Sequence, residues 1–243
     1  AHGWRVAVVC PRGTKRDTEP YAEIDGVEIH RYPLQAATGG PRGYVREYTQ
    51  ALRWTRRLAR RVAKSRRLDV VQACNPPDLL LPAVRFLRRR GASFVFDHHD
   101  LVPELYESRF GRKDDLLHRL TLRAERTTFR LADVVISTNG SYRSVALARG
   151  GKRPEDVFVV RSAPDLDRFR AVEPDPSLHG GRRFLLVYLG VMGPQDGVDH
   201  ALRALRHLRD RRDDWRAIFV GEGDVLDQMR ALCTELALDD DVT

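Results

Sequence analysis

Short apolar runs, most of them rich in β-branched residues, recur along the 243-residue chain with longer helical patterns between them, and this alternation constrains the fold more than any other feature. The runs are RVAVVC (5–10), VEIHRY (27–32), DVVQAC (69–74), SFVFDH (93–98), DVVIST (133–138), VFVVRS (157–162), FLLVYLG (184–190) and RAIFVG (216–221). Several are continuously apolar, the pattern of strands covered on both faces, which favours parallel pairing. Between them, residues 44–66 place Tyr48, Leu52, Leu58 and Val62 on or near one helical face, and 114–131 do the same with Leu116, Leu117, Leu120, Ala124 and Leu131. Residues 198–209 repeat the pattern with Val198, Ala201, Leu202, Leu205 and Leu208. The prediction is an α/β fold of two Rossmann-like domains, parallel sheets with helices on both faces.

A break in composition at 171–183, AVEPDPSLHGGRR, divides the two. The expected organisation is an N-terminal domain over 1–172, a linker over 173–183, and an incomplete second domain over 184–243. Both ends read as cut, because a strand pattern opens at once without an initiator Met and another begins at DDDVT. No apolar run approaches the ~18–20 residues of a membrane span, and the start lacks a secretory layout, so a soluble cytoplasmic protein is expected. Three cysteines, Cys10, Cys74 and Cys233, are too few and too far apart for a disulfide framework or a zinc knuckle. A net charge of +8 suits a polyanionic partner: nucleic acid, an anionic membrane surface or a phosphorylated ligand.

Four stretches carry candidate chemistry. RWTRRLARRVAKSRR (53–67) has no acidic residue, and Leu58 and Val62 mark a buried stripe, so it is a helix with a cationic outer face. Arg56, Arg57, Arg60 and Arg61 are the candidates there for contact with anionic lipid, a plain solvated face being the alternative. Nucleic acid is not favoured, since no aromatic residues interleave as a stacking platform. In FVFDHHDLVPELY (94–106), Asp97, His98, His99 and Asp100 end a strand. Three readings stand: a ligand-facing site at a strand's carboxyl end, polar residues that only end a strand and cap a helix, or a metal cluster. The last resembles the motif of the DHH phosphoesterases, although the earlier Asp-x-Asp those enzymes use is absent before residue 97. Thr138, Asn139 and Ser141 bring hydroxyl and amide groups to another carboxyl edge, with helix capping by Asn139 or Ser141 as the plain alternative. Gly190, Gly193, Gln195 and Gly197 lie in a strand-to-helix loop whose helix N-terminus can receive a phosphate, though the spacing also fits an ordinary turn.

Taken in order, FDHHDLVPELY, ADVVISTNGSYRSVA, VFVVRSAPDLDRF, LVYLGVMGPQDGVDHALRAL and AIFVGEGD resemble a family 4 glycosyltransferase of the GT-B fold over nearly the whole chain. The resemblance implies a retaining enzyme that moves a sugar from a nucleotide diphosphate sugar to a polysaccharide or lipid-linked acceptor, without metal or other cofactor. It implies His99 as the strand-end histidine near the transferred sugar, with Asp100 and Glu104 supporting its loop. The N-terminal domain would face the acceptor. The loop at 190–197 would face the donor diphosphate, and the basic helix would bring the protein to the inner face of the membrane. The chain departs from the family pattern at Val191 and Asp196, where many members carry Arg and Lys, and the N-terminal glycine-rich loop and the paired-glutamate region are missing. The chain by itself is therefore expected to be inactive. The alternatives are a metal-dependent phosphoesterase on Asp97, His98, His99 and Asp100, and a non-catalytic GT-B-like binding subunit.

Overall fold

A computed structural model describes residues 3–12, 17–34, 40–76, 78, 80–167 and 169–243, without the side chains of 40–42, 44, 80–83 and 109. Arg168, within one of the family-like stretches, lies outside the described residues. The chain forms two compact units: residues 1–104 with 113–162, and residues 105–112 with 163–243.

In the first unit β1 (Val6–Pro11) pairs in parallel with β3 (Val27–Tyr32), and β2 (Tyr21–Ile24) pairs antiparallel on the other edge of β3. The β2–β3 hairpin is not among the sequence expectations. Its turn is Asp25-Gly26, with φ of 53° and 76°, the left-handed pair that matches the twist of a two-residue hairpin. A second sheet runs β4 (Val70–Cys74), β5 (Ser93–His98), β6 (Val134–Ser137) and β7 (Val157–Val159), all parallel, as expected for crossover connections. The helices are α1 (Gly40–Ser65), α2 (Leu80–Arg88), α3 (Val102–Phe110), α4 (Leu116–Leu131) and α5 (Gly140–Ala148), with α3 passing from the first unit into the second.

Strand period explains the core of this unit. Phe94, Phe96 and His98 alternate inward along β5 and are almost wholly buried, with Phe129, Val135 and Val157 against the two phenylalanines. Each buried ring contributes about 1.5–3 kcal/mol over an exposed one. Along α1, Ala51, Leu58, Ala59 and Val62 are buried, which agrees with the apolar stripe at Leu58 and Val62. The face expected of α4 holds only in part: Ala124 is buried and Leu131 packs against the core. Leu116 is 73% and Leu120 50% exposed, whereas the buried residues are His118, Ala124, Glu125, Thr128 and Phe129. Three of those five residues are polar, so a search for apolar periodicity misplaces part of the buried face.

In the second unit β8 (Phe184–Leu189) and β9 (Trp215–Val220) pair in parallel, with α6 (Val198–Arg209) between them in sequence and α7 (Leu226–Glu235) after. Val198, Leu202 and Leu205 of α6 pack with Met192, Trp215, Ala217 and Leu238. Residues 173–183 include a 3-10 turn at Pro176–His179. Near the chain end Val242 bridges in parallel to Ala217, so DDDVT does begin to pair as a strand. β8 corrects the expectation of two covered faces: Leu186, Val187 and Leu189 are exposed. Among the described residues no helix is long and apolar enough to cross a membrane.

Candidate active site at the strand ends

The carboxyl end of β5 is built by a clasp from the neighbouring strand. After β4 the chain continues as Asn75-Pro76, joined by a cis peptide. The buried Asn75 accepts from the backbone N–H of His99 (2.7 Å) and of Asp100 (3.1 Å) through Oδ1. Its Nδ2 donates to the Asp100 carbonyl (2.6 Å) and to Asp78 Oδ1 (2.8 Å). One amide side chain thus holds two backbone N–H groups and a carbonyl of the loop that carries His99, and three such bonds at ~1 kcal/mol each fix its conformation. Thr128 of α4 donates its hydroxyl to the Asp78 carbonyl and ties the clasp to the helix layer. Burial pushes Asp78 up to about 7, with the charges of Glu125 and Asp100 adding to the rise and Asn75 and Arg149 opposing it.

Strand alternation separates the four ionisable residues that open the question of a metal cluster. His98 points inward among Phe96, Phe129 and Tyr142, with ring centroids 5.5, 4.9 and 5.3 Å away. It is fully buried, and burial, with the Arg149 charge, lowers its pKa to about 4, so it is a neutral core ring at pH 7. Asp97 and His99 lie on the opposite face, where His99 Nε2 is 3.0 Å from Asp97 Oδ1. The four-residue cluster of the phosphoesterase reading is therefore not assembled: adjacent residues in a strand cannot all face one ion. Among the described residues the side chains that do converge are Cys74, Asp97 and His99, within 4.8 Å of one another. Cys74 is exposed, and all three cysteines are free.

Glu104, in the first turn of α3, lies in an ion-pair triad. Arg149 donates to both its oxygens (2.6 and 3.1 Å) and to the fully buried Glu125 at 2.7 Å. Burial pushes Glu104 up, but the Arg149 bonds outweigh it and leave its pKa below the ordinary value. In Glu125 burial outweighs the same arginine and the pKa is raised. The triad anchors α3 to α4 and α5 behind the loop. At the β6 end Asn139 caps α5, accepting from the Tyr142 N–H at 3.0 Å, while its Nδ2 lies 3.4 Å from Thr138 Oγ1; Ser141 is exposed in the first turn of α5. The capping expectation thus fits Asn139, with Thr138 just past the end of β6 and Ser141 in the first turn of α5.

In the second unit, the loop after β8 folds against the one after β9. Gly190 N–H donates to the Val220 carbonyl and Met192 N–H to that of Glu222. A Cβ on Gly221 would lie 1.8 Å from the Gly190 carbonyl oxygen, and one on Gly223 2.3 Å from that of Met192, so FVGEGD needs its glycines for close backbone approach. Gly193 N–H is already bound by the Asp196 carboxylate at 2.7 Å. Gly197, at φ 68°, begins α6 without a side-chain cap, leaving the first-turn N–H groups without helical acceptors. A Cβ on Gly193 would fall within 3.0 Å of both Gln195 and Asp196 side-chain atoms, so Gln195 folds back over the same turn.

The cationic face of α1 is partly engaged. Arg56 and Arg60 lie over the Phe86 ring at 6.0 and 5.7 Å, and Arg57 over Trp54 at 5.5 Å. Arg56 is half-buried, so it belongs to the α1–α2 packing more than to an outer face; Arg57, Arg60 and Arg61 are exposed.

Comparison with known proteins agrees with this architecture. Residues 1–163 match the glycosyl transferase 4-like domain, and residues 170–243 match glycosyl transferases group 1. Sucrose-phosphate synthase from Thermosynechococcus elongatus is similar in structure with a TM-score of 0.76 at 18% identity, over 100% of this chain and 60% of that one. HepE from Anabaena, in complex with UDP, gives 0.55 at 17% identity over 88% of this chain and 54% of that one. TarM from S. aureus, in complex with fondaparinux, α-GlcNAc-glycerol and UDP, gives 0.52 at 13% identity over 79% and 36%. The chain thus spans 60% or less of the length of each of these proteins. No curated protein sequence matches it. The first family match covers well over half of the residues, and the parallel sheets and structural neighbours agree with it: the chain belongs to the family 4-like glycosyltransferases of the GT-B fold.

Proposed function

We propose that the protein is part of a retaining glycosyltransferase of the hexosyltransferase type, which moves a sugar from a nucleotide diphosphate sugar to a polysaccharide or lipid-linked acceptor without a metal. The observation that carries this reading is His99, displayed at the carboxyl end of β5 and clamped by Asn75, in a chain of transferase family. Such a reaction passes through an oxocarbenium-like state while the leaving diphosphate gathers charge. A clamped histidine loop can stabilise the first, and a helix N-terminus such as that of α6 the second. His99 and Asp100 take the sugar-side role, with Thr138, Asn139 and Ser141 lining the acceptor edge and Glu104 holding the loop from behind. Gly190, Gly193, Gln195 and Gly197 take the donor side. UDP in complexes of the similar HepE and TarM structures supports a nucleotide donor.

With Val191 and Asp196 at the family's cationic positions, the chain by itself binds donor weakly and transfers slowly or not at all. A non-catalytic binding subunit is the second reading, favoured by the same Asp196, whose carboxylate fills an amide a phosphate would use. Asp196→Lys tests the donor side that both readings share. It removes one negative charge and adds one positive, each worth roughly 0.7 kcal/mol at ~6 Å in a water-like dielectric, so UDP affinity rises about tenfold. Unchanged affinity in this variant removes the 190–197 loop from the donor site.

The exposed Arg57, Arg60 and Arg61 support peripheral attachment of a cytoplasmic protein to an anionic membrane face, where the lipid-linked acceptor lies. At about 1 kcal/mol per cation, neutralising all three to Gln weakens co-sedimentation with phosphatidylserine vesicles roughly 100-fold. Equal sedimentation of the triple variant and the parent sinks the membrane role.

A further inference from the structure

The convergence of Cys74, Asp97 and His99 follows from strand register. Cys74 ends β4, and Asp97 is its partner in β5, so both side chains project on the same face of the sheet. His99, two residues further along, returns to that face. His99 Nε2 lies 3.0 Å from Asp97 Oδ1, and Cys74 Sγ lies 3.6 Å from Asp97 Oδ2. In a tetrahedral zinc site with bonds of ~2.0–2.3 Å, neighbouring ligand atoms sit roughly 3.3–3.6 Å apart. These two distances, to the two oxygens of one carboxylate, fall within a few tenths of an ångström of that, and the three ligand atoms all lie within 4.8 Å of one another. Surrounding groups hold the set in place: Gln72 donates to Asp97 Oδ2 at 2.7 Å, and Asn75 fixes the backbone of His99. Access is open, since Cys74 is exposed and the His99 side chain is 45% exposed, while Asp97 is largely covered.

We propose that Cys74, Asp97 and His99 form a binding site for a divalent metal of the zinc class, with a fourth position for water or an outside ligand. A sulfur and an imidazole nitrogen select zinc or cobalt over the hard ions magnesium and manganese. The site goes beyond the transferase reading and does not depend on it. If His99 serves the transferred sugar, metal at this position occupies its Nε2 and zinc acts as an inhibitor.

The test is cobalt titration of the whole chain, followed by zinc displacement. The expected result is one cobalt per chain with a near-ultraviolet sulfur-to-cobalt charge-transfer band, abolished by Cys74→Ser and retained in Cys10→Ser. His99→Ala and Asp97→Asn each weaken zinc by about tenfold or more. A readout that needs no variant is alkylation of the native chain: zinc protects Cys74 from iodoacetamide, and EDTA restores its reactivity. Absence of the band, its survival in Cys74→Ser, or alkylation of Cys74 at the same rate with and without zinc overturns the site.

Discussion

Arg149→Met destabilises the first unit by about 3–5 kcal/mol, because it leaves Glu125 as an unpaired charge with no exposure to water. Arg149 is the common partner of two carboxylates, with Nε 2.6 Å from Glu125 Oε2 and Nη1 2.6 Å from Glu104 Oε1. Methionine keeps much of the aliphatic packing, so the loss reports charge and hydrogen bonding and not a cavity. The loss depends on pH in a defined direction. Glu125, whose pKa burial already raises, takes up a proton once its arginine is gone, so the variant loses less stability at pH 5 than at pH 8. Adding Glu125→Gln recovers part of the loss at pH 8. Denaturant midpoints of the three proteins at the two pH values decide it; a loss below 1 kcal/mol that ignores pH contradicts this account of the triad.

Asp78→Asn works the other way and stabilises the protein at pH 8. A carboxyl held at about 7 in the fold, against an ordinary 3.8, keeps its proton to higher pH when folded than when unfolded. Folding is therefore favoured while the group is protonated, and that contribution is lost as pH rises from about 4 to about 7, on the order of 4 kcal/mol in all. Asparagine is neutral throughout and can still accept from Asn75 Nδ2 through its oxygen, so the clasp on His99 survives. The buried Asp78 Oδ2, which lacks a hydrogen-bond partner, becomes an amide nitrogen with two donors. His98 adds an opposing slope in the wild type. Its pKa of about 4 lies below the ordinary 6.5, so its contribution is present above pH 6.5 and lost as pH falls towards 4. The two slopes offset each other between about pH 4 and 6.5, and Asp78→Asn exposes that of His98. The stability difference between variant and parent thus grows by ~1.4 kcal/mol per pH unit from about 4 to 7 and is then constant. A difference that does not vary with pH means that Asp78 is not held protonated.

Features set by local chemistry are legible in the chain. β3 and β5 fall on the expected residues, and α6 does too, because apolar period and flanking glycines agree there. The hairpin at β2 has its signal in Asp25-Gly26. The side of α4 that is buried has none of that kind: Glu125 and Thr128 face inward for partners in α5 and in the loop after β4. The candidate site divides in the same way. His99, Asp100 and Glu104 stand out because a polar cluster at the end of an apolar strand is visible locally. Asn75, Asp78 and Arg149 do not, although they hold those residues, since Asn75 binds His99 from 24 positions away and Arg149 reaches Glu104 across 45. Asp97 and Cys74 meet only through strand register.

In the proposed function this family member binds a nucleotide diphosphate without a metal. The most direct measurement is calorimetric titration of the chain with UDP, GDP and ADP in the presence of EDTA. The account predicts that one nucleotide binds, that EDTA makes no difference, and that Asp196→Lys tightens the binding. Binding of none of the three, or binding that requires manganese and disappears with His99→Ala, contradicts it.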